Sequence, residues 1–267
     1  MRSWALSSFC STMFRTGGTT GQAQLAVAAI SRLDVDVAAR PESGFAAVLG
    51  SCSAKAEGWV RNYFDADANR LSRKPYAYPA YDSLATGSHS DELNDGDLLA
   101  PTLLNAAPSI AAFYALQSAR EQVEAGLRAT PASVTLESAV EDSSLERRMQ
   151  ALVGVLDKRK LRGVKLTTLT KVLHRKRPDF MPLHDKFVKA CFVGAQEPFP
   201  MRNDKARTWS RYWAAMATAI NDDIQTQVDA WADLGALAGK QVATLRVFDV
   251  VAWNAGKQLL SQREHRS

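Results

Sequence analysis

The spacing of apolar residues constrains this chain most: it follows helical periods and almost never alternates as a strand would. In "NDKARTWSRYWAAMATAINDD", Trp209, Trp213, Met216 and Ile220 recur three or four positions apart, which places them on one side of a helix. Leu25, Ala29, Leu33 and Val37 repeat the pattern in residues 21–38. Breakers separate such runs: "RPESG" at 40–44, Thr130-Pro131, and the Pro-containing stretch from Gly194 to Met201. The expected fold class is all-α, a globular bundle of about eight or nine helices. One long irregular loop is expected over 65–96, where Tyr76, Tyr78 and Tyr81 either stack on a ligand or pack onto the helices.

Helix starts are expected at polar residues that accept from free first-turn amides. Ser53, Asp97, Ser109 and Thr244 are the expected caps, and Ser143 with Glu146 has the spacing of a capping box. "SHSDELNDGD" groups Asp91, Glu92, Asp95 and Asp97 without the alternation of a calcium loop, so a solvated turn is expected. Residues 1–20 contain no acid and are rich in Ser and Thr, and are expected to be a disordered extension, a targeting segment or a misplaced start. Residues 21–267 are expected to form one helical domain, with possible subdomains 21–140 and 141–267.

Composition narrows the function classes. No run approaches the roughly 18–20 apolar residues of a membrane span. The three cysteines, Cys10, Cys52 and Cys191, are far apart and form no thiolate metal motif. No metal site and no cofactor is expected, and a cytoplasmic setting is the simplest. Phosphate-binding loops, dinucleotide fingerprints and zincin motifs are all missing from the sequence. The net charge of +5 hides an uneven distribution. Glu146 to Arg177 carries eleven cations and two anions, so the rest of the chain is slightly acidic. A basic block of this kind either attracts a polyanion or is a solvated helix face.

Within that block "LRGVKLTTLTKVLHRKRPDFMPLHDKFV" runs from Leu161 to Val188: an apolar-Gly-apolar turn, a helix, a Pro-flanked break, and an Asp opening the next helix. It resembles the core motif of the helix-hairpin-helix DNA glycosylases. The resemblance implies a hairpin whose turn amides and following helix start grip a phosphate, formed here by Arg162, Gly163, Val164 and Lys165, with Lys171 further along the phosphate path. It also implies an aspartate, here Asp185, that supports the sugar cation as a base leaves. This chain departs from the pattern at three places: the second hairpin glycine is Lys165, the small helix-contact residue is Leu169, and the position of the nucleophilic lysine holds Thr167. Over a longer span, "YPAYDSL", "DGDLLAPTLLNA", "LHRKRPDFMPLHDKFV" and "RVFDVVAW" together resemble an uncharacterised bacterial family of unknown function, which implies an architecture and no reaction.

Two classes of function stand side by side. One is a nucleic-acid-binding protein, with DNA as partner and glycosylase-like hydrolysis if it is an enzyme. The other is a non-catalytic protein-interaction or structural module. Asp185 is either the catalytic acid or a plain N-cap. His174 and His184 are either functional or satisfied structural residues. Arg246 and Asp249, three apart in "RVFDVVAW", face each other on one helix with Trp253 one turn beyond Asp249, as a core fastener or the wall of a pocket.

Overall fold

The structure is a computed structural model and describes residues 48–50, 52–73, 75, 78–158, 160–193, 204–239 and 242–265. The expectations for residues 1–20 and 21–38, for Tyr76 and for the 194–201 loop lie outside these. Thirteen α-helices form among the described residues. They are α1 (Ser53–Phe64), α2 (Ala66–Leu71), α3 (Tyr78–Ser83), α4 (Asp95–Leu99), α5 (Ile110–Arg128), α6 (Leu136–Glu141) and α7 (Leu145–Leu152). After them come α8 (Val155–Lys158), α9 (Leu166–Lys176), α10 (Lys186–Phe192), α11 (Trp209–Thr226), α12 (Val228–Ala238) and α13 (Thr244–Glu264), with a 3-10 turn at Ala100–Leu104 after α4. The all-α expectation holds. The helix count was expected too low because short helices, α2 and α3 among them, interrupt the stretch expected to be a loop.

Core residues come from both sides of residue 140: Val60, Leu116 and Val123 pack in the same cluster as Leu152, Leu169, Trp213 and Phe248. Of the expected stripe on α11, Trp213, Met216 and Ile220 are fully buried, whereas Trp209 is 48% exposed, since it begins the helix before the stripe reaches the core. The tightest helix contact joins α10 to α13. Gly256 permits it: a Cβ there would lie 2.0 Å from the Phe187 carbonyl oxygen, so α13 crosses the first turn of α10 with backbone against backbone. This crossing fixes where Asp185, the residue opening α10, sits relative to Arg246 and Asp249 on α13.

The caps differ from expectation in informative ways. Ser109 caps α5 through the Ala112 amide at 3.2 Å, as expected. Helix α4 begins three residues earlier than expected, because Asn94 is its N-cap and Asp97 completes a reciprocal capping box from inside the helix. Helix α7 starts after Ser144, which makes no side-chain cap; Ser143 sits at φ +57° in the turn before it. Ser53 and Thr244 are the first helical residues of α1 and α13, not their caps. No described helix is long and apolar enough to cross a membrane.

Candidate functional site

The bend between α8 and α9 carries the expected phosphate-gripping residues. Leu161 turns inward and the Val164 amide donates to its carbonyl at 3.2 Å, closing the turn. Gly163 takes φ +77°, a left-handed conformation that favours glycine. A Cβ on Gly163 would stand 3.1 Å from Ser109 Oγ and 3.3 Å from the Ala112 Cβ. The close approach the glycine allows is therefore to the first turn of α5, within the protein itself. Arg162 and Lys165 are exposed, as are Lys158 and Lys160 just before them, and Val164 is half-buried. Lys165 is the N-cap of α9 and makes no side-chain cap bond. The first-turn amides of Leu166 and Thr167 thus receive no side-chain cap, at the positive end of an 11-residue helix that follows two exposed cations. Ile110 and Tyr114, one turn apart on α5, are 79% and 64% exposed, on the side of that helix away from Ala112.

On α9 the cations beyond Lys165 turn inward, whereas Arg147 on α7 stays exposed, so the block is not one solvated helix face. Lys171 is 4% exposed: six residues on from Lys165, it has rotated to the core side of α9. Lys176 Nζ reaches Asp97 at 3.0 Å and the His89 carbonyl at 3.1 Å. Arg175 donates to the Tyr81 and Leu84 carbonyls. The buried Arg177 guanidinium donates to the Leu127, Thr130 and Ser90 carbonyls and to Asp91. These three cations clamp the 84–97 segment onto α9. The expectation of a solvated acidic turn therefore fails at Asp97, which is fully buried. Burial raises its carboxyl, and hydrogen bonds from Ser88, Asn94, Thr86 and Lys176 outweigh burial and hold it below the usual carboxylate range.

Asp185 bends back onto its own helix: Oδ1 accepts from the Phe187 and Val188 amides at 2.8 and 2.9 Å. No hydrogen bond to Oδ2 occurs among the described residues. His184, next to it, bridges helices. Its Nδ1 lies 3.2 Å from Thr167 Oγ1 on α9, and its Nε2 lies 3.2 Å from the Tyr212 hydroxyl on α11. Burial, together with repulsion from Lys171 and Lys189, pushes its pKa down to about 3, so the ring is neutral at physiological pH. His174 is similarly held neutral, down to about 3 by burial, with Nδ1–H donating to the Met181 carbonyl at 2.7 Å. Both histidines are hydrogen-bonded, His174 buried and His184 half-buried.

Arg246 and Asp249 do pair, and they form the hub of a larger interior cluster. The Arg246 guanidinium, 2% exposed, meets Asp249 Oδ2 at 2.5 Å and Asp82 Oδ1 at 2.9 Å, and donates to the Tyr63 hydroxyl. It also lies over the Tyr63 and Tyr81 rings, at 5.0 and 5.6 Å from their centroids. One side chain thus ties α1, α3 and α13 together. Tyr81 belongs to the core and not to a ligand platform: it is 1% exposed and its hydroxyl donates to the Lys171 carbonyl at 2.7 Å. Burial raises the Asp249 carboxyl to about 6 despite the guanidinium beside it, with Asp185 adding to the rise. Trp253 is half-buried, edge-on to Phe187 at 5.6 Å, and lines a small cleft of about 60 Å³ with Trp59, Asn62, Tyr63 and Asn254. Sequence reasoning missed Asp82, Tyr63 and Asp97 as partners. Only their long-range pairing marks them, and no local pattern carries that signal.

No curated protein and no solved structure matches the chain. A family of unknown function (DUF6308) matches residues 56–256, a span that takes in the bend, the cation clamp and the Arg246 hub. That match covers most of the sequence, and the chain belongs to this family.

Proposed function

We propose that the chain binds nucleic-acid backbone at the bend between α8 and α9. One observation carries the reading: the start of α9 has no side-chain cap and is flanked by the exposed Arg162 and Lys165. A phosphate placed there would accept from free amides at the positive helix end and be neutralised by two cations. The reading is one of binding. Base removal is not part of it, because Asp185 Oδ1 is committed to the cap of α10.

The test is fluorescence anisotropy on short labelled single strands and duplexes across a salt series. Binding is expected to weaken with salt. Replacing Arg162 and Lys165 together by Ala should flatten the log–log slope by about 2 on duplex, one unit per lost phosphate contact. Absence of binding at low salt, or an unchanged slope in the double variant, refutes the proposal and leaves the bend as the surface of a protein-interaction module.

A further inference from the structure

The start of α11 brings an exposed aromatic ring to the basic bend. Asp157, near the end of α8, accepts from the Trp209 amide through Oδ1 at 2.7 Å and from the Ser210 amide through Oδ2 at 3.0 Å. The Ser210 hydroxyl also reaches Oδ2, at 2.7 Å. Both carboxylate oxygens are engaged, and the first turn of α11 is fixed against the residue that precedes Lys158. Lys158, Lys160, Arg162 and Lys165 follow, all exposed, with no anion in the sequence between 158 and 165.

A second connection reaches the same ring from beyond the bend. Thr167, in the first turn of α9, meets His184 Nδ1, and His184 Nε2 meets the Tyr212 hydroxyl, each at 3.2 Å. Tyr212 in turn stands edge-on to Trp209, with ring centroids 6.2 Å apart and planes at 84°. Trp209 is thereby tied to both flanks of the bend, to Asp157 before it and to Thr167 after it. Its indole is the outer member of an aromatic series. Trp213 lies 5.3 Å from His184, and His184 lies 5.8 Å from Tyr212, while exposure rises from 0% at Trp213 to 48% at Trp209. A ring held by packed neighbours loses little freedom when a partner stacks on it. An edge-on neighbour covers at most one face of the indole, and among the described residues the indole N–H donates to no acceptor.

The charge around the ring selects the partner. Exposed cations beside an open indole suit a polyanion that carries flat aromatic groups: the cations neutralise phosphates, and every base has a face to stack. In a duplex those faces are already stacked on neighbouring base pairs, so only an unpaired base can offer one. We infer that Trp209 is the base-stacking platform for an unpaired nucleic-acid strand whose phosphates lie along the cations from Lys158 to Lys165. The inference rests on backbone binding at the bend and adds what that binding leaves open, the strandedness of the partner.

The whole chain is titrated with a labelled oligothymidylate of about 12 nucleotides, with the same strand paired to its complement, and with the matching oligouridylate. Trp209→Ala should weaken binding of the unpaired strand at least about fivefold and leave the duplex unaffected. It should also keep the salt slope of the wild-type chain, since no phosphate contact is lost. The Asp157 bonds go to backbone amides and the Ser210 hydroxyl, so the substitution spares them. Trp209→Phe should restore most of the affinity. Tryptophan emission should be quenched by the unpaired strand in the wild-type chain, and that quenching should be lost in Trp209→Phe. Quenching by either the DNA or the RNA strand supports the platform. If the Ala variant fails to fold, the quenching comparison decides alone. Salt-sensitive binding that Trp209→Ala leaves unchanged, or weakens equally on duplex and single strand, overturns the inference while backbone binding stands. Quenching that persists in Trp209→Phe overturns it as well, and absence of binding to every probe at low salt overturns both.

Discussion

The two hydrogen-bonded histidines, His174 and His184, make acid stability a sharp test of the fold. In an unfolded chain a histidine takes up a proton near pH 6.5. In the folded chain His174 and His184 do so only near pH 3, because burial removes the hydration an imidazolium needs. Between those values the unfolded state binds more protons, so stability is complete above about pH 6.5 and is lost as pH falls towards 3. Going from about pH 7 to pH 5, each histidine removes about 2 kcal/mol, roughly 4 for the pair. Asp249 works the other way. Its folded pKa, near 6, lies above the unfolded value, so folding gains a proton there and about 1 kcal/mol returns over the same interval. The net expectation is a loss of about 3 kcal/mol, read from urea melts at the two pH values. His184→Gln keeps a polar group between Thr167 and Tyr212 and removes one titration, so it should cut the pH dependence by about 2 kcal/mol while costing stability at neutral pH. Equal stability of the wild-type chain at both pH values would refute the claim that these rings are held neutral.

Three further outcomes follow from particular contacts. Gly256→Ala drives a methyl into the Phe187 backbone, and a chemical melt should show at least 2–3 kcal/mol lost, since neither helix can yield without moving the Asp185 cap. Arg177→Met leaves the Leu127 and Thr130 carbonyls buried without their donor. The expected loss is about 3–5 kcal/mol, with hydrogen exchange in 84–97 rising before that of α11. Asp185→Ala should cost about 1 kcal/mol, the ordinary worth of an N-cap; a loss near zero would show that the Phe187 and Val188 amides find another acceptor.

Some local interactions are readable in the sequence, although the helix caps expected at Ser53, Asp97, Ser143 and Thr244 do not form. Arg246 and Asp249 are three residues apart on one helix, so their pairing is readable from spacing, and Ser109 caps α5 because a cap needs only its own first turn. The charges fail for the opposite reason. A run of cations states its sign, but which members face water depends on acceptors elsewhere in the chain. Arg177 is drawn inside by carbonyls and a carboxylate some 47–87 residues away. Lys171 and Lys165 lie in the same run, six residues apart; helix rotation alone sends one inward and leaves the other at the surface. The segment that resembles a phosphate-gripping hairpin therefore holds two chemically unlike places. Its bend offers amides and hydrated cations, which suit a polyanion and lose strength with salt. On the inner face of the following helix Lys171 is 4% exposed and feels Asp249 and Asp185, which oppose a polyanion there. An assay that varies ionic strength therefore reads Arg162 and Lys165 at the bend and barely Lys171, which burial screens from added ions.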